Sequence, residues 1–452
     1  MGFFCCMQDP SEHPSTRGSV DVHARPNGEE KLPAYAAASS HCTYDDTTSK
    51  QISFIEKIIE SHSSALQKLS MDMWNNPETA YKEFKTRDLF VKFLKKQKGW
   101  QVTANCYDIT PAYEAVFTHK PTSSIGQTRV VGFNSEMDAL PGVGQACGHN
   151  LIAIAGVAAA LATAQSLVKF DLPGQVRLLG TPAEEDIGGK IDLLKAGAYK
   201  SMDACLMVHP GPIDGMLPML AIAEGSIEYT GAGSHAAGAP WEGVNALDAC
   251  VIAYTSLSAL RQQIKPSQRI HCILKGSEDF VLNIIPAKAR LVFAARSETR
   301  AELEILKKRV VQCLEAAALA SGCSTNNSLV WSMDYDELRN SPPLAKEYIR
   351  YMRERQDFNF PDEGPTLGST DFGNISYALP ALHPIYSIPI EPGQGNHTPG
   401  FTRAAATPEA HAKTLRAAKG IAASGWRVLT DHAFSKEVKE AFEEDERKRP
   451  NL

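Results

Sequence analysis

The sequence has no excess of basic residues: 46 Lys and Arg stand against 52 Asp and Glu, a formal net charge of -6. That lacks the electrostatic footprint of a nucleic-acid binder. With 43% hydrophobic and 22% charged residues, the composition is that of an ordinary soluble protein whose partner is a small molecule or another protein. There is no regular cysteine framework either. The ten cysteines are irregularly spaced. Cys205, Cys250, Cys272 and Cys313 sit in apolar runs where a free thiol behaves as a small hydrophobe, so a reducing compartment is expected. No apolar run of membrane-span length escapes polar interruption, the N-terminus lacks the charged-then-apolar order of a secretion signal, and no internal repeat is found. A cytoplasmic protein without a membrane partner is expected. Gly2, Cys5 and Cys6 in MGFFCC are candidate lipid acceptors, but Cys6 stands where a myristoylated terminus usually carries Ser or Thr. The segment therefore reads as part of a disordered tail, residues 1–45, rich in Ser, Pro, His and charge.

At 452 residues the chain exceeds what one compact core usually serves, so two domains are expected. ISFIEKIIESHSSALQKLSMDMWNN has apolar residues three and four apart, as an amphipathic helix requires. Three β-rich runs follow, TRVVGFNSEMD, QVRLLGTPAEED and DACLMVHPGP, separated by helical sequence. That alternation predicts an α/β fold with a mostly parallel central sheet flanked by helices. The runs end in Glu136 and Asp138, in Glu184 and Glu185, and in His209. Ligands of open α/β sheets sit beyond the carboxyl ends of the strands, so one rim collects carboxylates and imidazole. The turn GQACGHN, leading into the helix former LIAIAGVAAALATAQSLV, should face the same rim. From Met216 the order becomes βαββαβ, that of a small ferredoxin-like insert acting as a lid. The expected organisation is a catalytic domain in two parts, 46–215 and 339–452, around a lid at 216–338.

Taken singly, the candidate groups are weak. An isolated C-x-H such as Cys147 and His149 is more often a buried thiol and a capped imidazole, adjacent Glu184 and Glu185 a solvated pair, and a lone His209 a satisfied histidine. Gathered at one rim, these groups would repel and lose solvation at high cost without a cation, so a metal is expected. Consecutive residues of an extended segment point to opposite sides, so one of the two glutamates can ligate while the other turns toward a water. A nucleophilic Cys147 with His149 or His209 as base competes, but leaves the remaining acidic and imidazole groups without a role.

NSEMDALPGVGQACGHN, GTPAEED, LMVHPGP, GAGSHAAGAPWEGVNALDA, GSTDFGNIS and GNHTPGF, in this order between Gln51 and His432, resemble the zinc-dependent aminoacylase and carboxypeptidase family. Within it the chain is most similar to the amidohydrolase branch that holds Xaa-Arg dipeptidase, p-aminobenzoyl-glutamate hydrolases and auxin-conjugate hydrolases. The resemblance implies a metal centre bound by Cys147, His149, Glu185, His209 and His397. It implies Glu184 as general base and Asp138 as a residue orienting a ligand. Asn150, which stands where the auxin-conjugate hydrolases carry an aspartate, is not implied as a ligand. Zinc is the implied cation, one or two per subunit, with manganese or cobalt as substitutes. His235 would stabilise the oxyanion, commonly across a homodimer formed through the lid. Asn283 and Arg296 resemble positions that grip a substrate carboxylate, and Gly373 in GSTDFGN would line the pocket. The implied activity is hydrolysis of the amide of a dipeptide or N-acyl amino acid by a metal-activated water. A silent scaffold and an amide-forming enzyme on the same fold are the alternatives. Side-chain preference stays open, because the branch takes basic, acidic or aromatic amino acids.

Overall fold

The structure, a computed structural model, describes residues 44–121, 128–276, 279–361 and 368–450. Almost all of the expected tail lies outside them, together with Gly2, Cys5 and Cys6.

The part expected to be catalytic begins with α1 (Asp46–Asn75) and α2 (Phe84–Leu94). It continues through β1 (Trp100–Ala104), β2 (Tyr113–His119), β3 (Val130–Glu136), α3 (His149–Phe170), β4 (Gly174–Thr181), α4 (Gly189–Lys195), β5 (Ala204–Leu206) and β6 (His209–Gly211). In α1, Ile52, Ile55, Ile59, Leu66, Leu69 and Met73 form one buried stripe, and the Asp45 carboxylate caps the helix by accepting from the Thr48 N–H at 2.8 Å. α3 is buried on nearly every side and packs against α1 and β3. By length and composition it could cross a bilayer, yet 89% of its apolar window is buried inside the fold, so its hydrophobicity is that of a core helix. Truncating a side chain such as Leu161 to alanine there would cost about 2–5 kcal/mol.

The lid follows as β7 (Ala221–Thr230), α5 (Ala246–Leu260), β8 (Arg269–Lys275), β9 (Lys288–Ser297), α6 (Arg300–Ser321) and β10 (Val330–Tyr335). Its antiparallel sheet has the order β10-β7-β9-β8, the ferredoxin-like arrangement expected. Odd-numbered residues of β7 and β9, among them Ile227, Tyr229, Leu291 and Phe293, bury against α5 and α6 with Leu306, Val310 and Leu314. Even-numbered residues therefore face away from those helices.

The chain returns through α7 (Pro342–Gln356), α8 (Phe372–Ala378), β11 (Ala381–Leu382), β12 (Ile385–Ser387), α9 (Pro399–Ala404), α10 (Pro408–Thr430) and α11 (His432–Lys448). The central sheet has the order β1-β2-β4-β3-β5-β11, with the four strands from β4 to β11 parallel and β1 and β2 antiparallel at one edge. Two local readings of the sequence are corrected. The run DACLMVHPGP splits, because β6 leaves the central sheet to pair with β12. GSTDFGNIS, read as strand and turn, contains α8.

Candidate metal centre

The strand-end placement holds for Glu136, the last residue of β3, and Asp138 follows two residues later. His149 opens α3 after Gly148, whose φ of 78° is costly for other residues. A side chain at Gly148 would also meet the Pro210 ring at 2.6 Å, so only glycine lets the GQACGHN turn close on the strand carrying His209.

Glu184 and Glu185 differ from expectation. They lie in a turn between β4 and α4, after Ala183 at a φ of 57°, and not in an extended segment. Both carboxylates consequently approach the same imidazole: His149 Nε2 is 3.9 Å from Glu184 and 3.6 Å from Glu185. Tyr335 of the lid donates its hydroxyl to the Glu184 carbonyl at 3.0 Å, tying this turn to β10.

The five implied ligands converge. Cys147 Sγ is 3.4 Å from His209 Nε2, and His397 Nε2 is 3.4 Å from Glu185. Potential donor atoms of Cys147, His149 and His209 lie within 4.8 Å of one another, as do those of Cys147, Glu185 and His397. The two trios share the thiol, and Cys147, His149, His209, Glu185 and His397 are the residues that would hold a bound cation. His397 adopts a φ of 68°, a strained conformation for a histidine, while its N–H donates to the Ala146 carbonyl at 2.8 Å. Asp138 braces the centre from behind. One oxygen is 3.2 Å from His149 Nδ1 and the other accepts the Glu185 N–H at 3.0 Å, leaving His149 Nε2 to face the cluster. Asn150 turns away and donates to Ser70 and to the Ala405 carbonyl.

A cation fits this donor set. His149 Nε2 and Glu185 Oε1 are buried without a hydrogen-bond partner, which protein interiors rarely tolerate. The donors are thiol, imidazole and carboxylate, the set that suits zinc-like ions. Burial and then the Glu136 and Glu185 carboxylates push the Glu184 carboxyl well above its usual range. Burial pulls the His209 ring down to about 4, leaving it neutral as a ligand must be. The Cys147 thiol is pushed well up by burial and then by Glu185.

Behind the centre lies a polar core that had gone unassigned. Glu136 sits between His149 Nε2 at 3.3 Å and Lys190 Nζ at 2.6 Å, and the same ammonium is 2.5 Å from Asp371. All three of Glu136, Lys190 and Asp371 are fully buried. Although burial raises the Glu136 carboxyl, Lys190 and His149 hold it down at about 2. Glu136 was visible as a polar strand end; Lys190, one lysine after two glycines at the start of α4, offered no signal.

The pocket above these groups is a cavity of about 620 Å³, whose lining includes Cys147, Glu184, Glu185, His209 and His397 from the catalytic part and Ile222, Glu224, Arg296 and Met333 from the lid. Arg296 reaches it and donates to Ser369 at 2.9 Å. Three implied residues do not line it. His235 and Asn283 are exposed on the lid, and Gly373 is buried with its Cα against the backbone of Asp336 and Glu337, where any side chain would collide. The glycine serves packing of α8 and not the pocket.

Residues 221–321 match the peptidase dimerisation domain family. The chain is 39% identical over 394 residues to Xaa-Arg dipeptidase of Mus musculus, an alignment covering 85% of this chain and 90% of that protein. The chain belongs to the M20 family of peptidases and amidohydrolases. Solved structures of the same fold include an aminobenzoyl-glutamate utilization protein from Klebsiella pneumoniae, with a TM-score of 0.61 and 18% identity over 83% of this chain and 99% of that one. A dinuclear metal-binding M20 peptidase from Bacillus subtilis has a TM-score of 0.60 and 16% identity over 82% and 99% of the two chains.

Proposed function

We propose that the chain is a dipeptidase or N-acyl amino acid amidohydrolase working with two divalent cations, zinc first among them, held by Cys147, His149, Glu185, His209 and His397. The observation that carries this reading is the convergence of those donors beneath one pocket beside the buried carboxylate of Glu184. Bound cations would supply Lewis acidity, polarising the scissile carbonyl and acidifying a water. Glu184 takes the proton from that water and returns it to the departing amine. Asp138 keeps the His149 ring oriented, and Arg296 grips the free carboxylate of the substrate. Cys147 is read as a ligand and not a nucleophile, since its sulfur lies among the donor atoms of His149, His209, Glu185 and His397, which a lone thiol nucleophile would leave without a role.

We assign His235 to the pocket of a second copy. Its Nδ1 accepts the N–H groups of Ala237 and Gly238, so the neutral ring carries its proton on the outward Nε2. Around it the lid exposes Trp241, Leu282 and Ile284, and β8 leaves one edge of the lid sheet unpaired among the described residues. Such surfaces suit a homodimer. The unpaired state of the seven described cysteines supports a cytoplasmic location.

The test combines chelation with subunit mixing. Metal-free protein should not hydrolyse dipeptides and should recover on zinc addition; activity that survives chelation but not thiol alkylation would establish the cysteine nucleophile instead. Glu184→Gln and His235→Ala should each be inactive alone, yet regain activity when their subunits are exchanged. No recovery on mixing would return His235 to its own chain or to no role.

A further inference from the structure

Tyr335, the last residue of β10, joins the lid to the turn that carries Glu184. Its direction is set by an irregularity in the lid sheet. Trp331 pairs with Gly225 and Met333 with Glu224, so Ser332 is an extra residue, a β-bulge. Trp331 turns toward the lid helices, edge-on to Phe293 at 5.2 Å and with the Lys307 ammonium of α6 over its ring. Strict alternation would send Met333 and Tyr335 to that side as well. The bulge reverses them: Asp334 meets Lys307 at 2.7 Å, while Met333 and Tyr335 line the cavity. There the Tyr335 hydroxyl donates to the Glu184 carbonyl at 3.0 Å, and the ring lies against Gly188, where a Cβ would meet it at 2.7 Å. Tyr335 opposes Ile222, and Ile222 opposes Arg296. Opposed residues share a face, so the three form one rung across β10, β7 and β9, and all three line the cavity. Both ends of the rung cross to the catalytic part, Arg296 to Ser369 at 2.9 Å and Tyr335 to Glu184.

We propose that Tyr335 is a positioning residue for hydrolysis: together with Arg296 on the same rung, it fixes the peptide of the general base relative to the substrate's carboxylate. This rests on the hydrolase reading above. The peptide joining Glu184 to Glu185 is held from two sides, its N–H by Asp138 at 3.0 Å and its carbonyl by Tyr335. The first hold comes from the catalytic part and the second from the lid. Arg296 and Tyr335 stand two strand spacings apart, roughly 10 Å, and the hydrogen-bonded strand between them keeps that spacing. A substrate held by its carboxylate at one end of the rung therefore meets its base at a distance set by the other end. Without the hydroxyl, the peptide keeps its hold on Asp138 and pivots about it. Glu185 stays braced while Glu184 loses its aim, and a misplacement of about 1 Å at a reacting group costs about 10²-fold. The phenol touches the backbone of Glu184 and acts through it.

The experiment compares zinc-loaded wild type, Tyr335→Phe, Arg296→Met and the double variant on alanyl-arginine, alanyl-leucine and alanyl-glutamate. Metal content by elemental analysis and amide hydrogen exchange of the metal-free proteins are read beside turnover. Phenylalanine keeps the ring against Gly188 and removes only the hydroxyl. On the peptide that wild type cleaves fastest, Tyr335→Phe should lose about 10- to 100-fold in kcat, with KM changed less than about threefold and metal content unchanged. Residues 183–188 should exchange faster than in wild type. In Arg296→Met protein, where the carboxylate is no longer seated on the rung, removing the hydroxyl should cost less than about threefold. A kcat within about threefold of wild type would overturn the proposal. So would losses that simply multiply in the double variant, because Tyr335 would then act without Arg296, and so would metal lost in step with activity or unchanged exchange of the turn. Each of these leaves the hydrolase reading standing. If zinc-loaded wild type cleaves none of the three peptides, the dipeptidase reading itself falls, and the role of Tyr335 with it.

Discussion

Glu184→Gln is the sharpest perturbation of the proposed chemistry. The residue is 7% exposed, and it touches the pocket without hydrogen-bonding through its carboxylate to any described group, so the amide can replace it with little repacking. Its carboxyl lies beside Glu136 and Glu185, whose charges raise its affinity for a proton beyond what burial alone does. Glutamine keeps the volume and removes the proton acceptor. General-base catalysis by a positioned side chain is worth about 10²- to 10⁴-fold, or about 3–5 kcal/mol of barrier. The expected result is a fall of that size in kcat at nearly constant KM, with metal content by elemental analysis equal to wild type. Removing one of several crowded carboxylates should also raise the melting temperature of the metal-free protein. Turnover within about tenfold of wild type at full metal loading would refute the base assignment, because it lies below the range of general-base catalysis. Loss of metal in step with loss of activity would move Glu184 among the ligands.

Asp138→Ala removes the brace on His149 and on the Glu185 backbone, and should weaken metal binding about 10- to 100-fold in competition with a chromogenic chelator. Lys190→Met takes the ammonium from between Glu136 and Asp371 and leaves two buried carboxylates facing each other, a destabilisation of about 3–5 kcal/mol readable in urea unfolding. The carboxyl of Asp336 is raised by burial to about 7, against the opposing pull of Arg300. The folded chain therefore holds a proton that the unfolded chain releases near pH 4, and stability contributed below that pH is lost as pH rises through 7. Asp336→Asn should flatten part of the fall in melting temperature between pH 5 and pH 8.

Much of this protein is written locally. The period of Ile52, Ile55 and Ile59 makes α1, the alternation in β7 and β9 makes the lid sheet, and the strand-ending acids and the CGHN turn announce the rim of a parallel sheet. These features follow from neighbours within a few residues, where backbone periodicity and side-chain polarity decide the outcome. Their inferred gathering at one rim, not the residue types singly, indicated a cation, because thiol, imidazole and carboxylate cannot crowd together cheaply without one.

Other assignments needed the third dimension. Nothing near Lys190 in the chain shows that it will be fully buried between Glu136 and Asp371, residues 54 positions before it and 181 after it (190 − 136 and 371 − 190). Strand alternation was expected to turn Glu184 and Glu185 to opposite sides, but they follow Ala183 at positive φ in a turn, and both approach His149. Gly373 belonged to a pocket motif by sequence and to helix packing in space. Only the register of β7 against β9 and β10 set Glu224 on the face of Arg296. A sequence specifies which faces of its elements are apolar; which distant charges those faces bring together depends on how the elements pack, and the energy of an ion or substrate in the pocket depends on that packing.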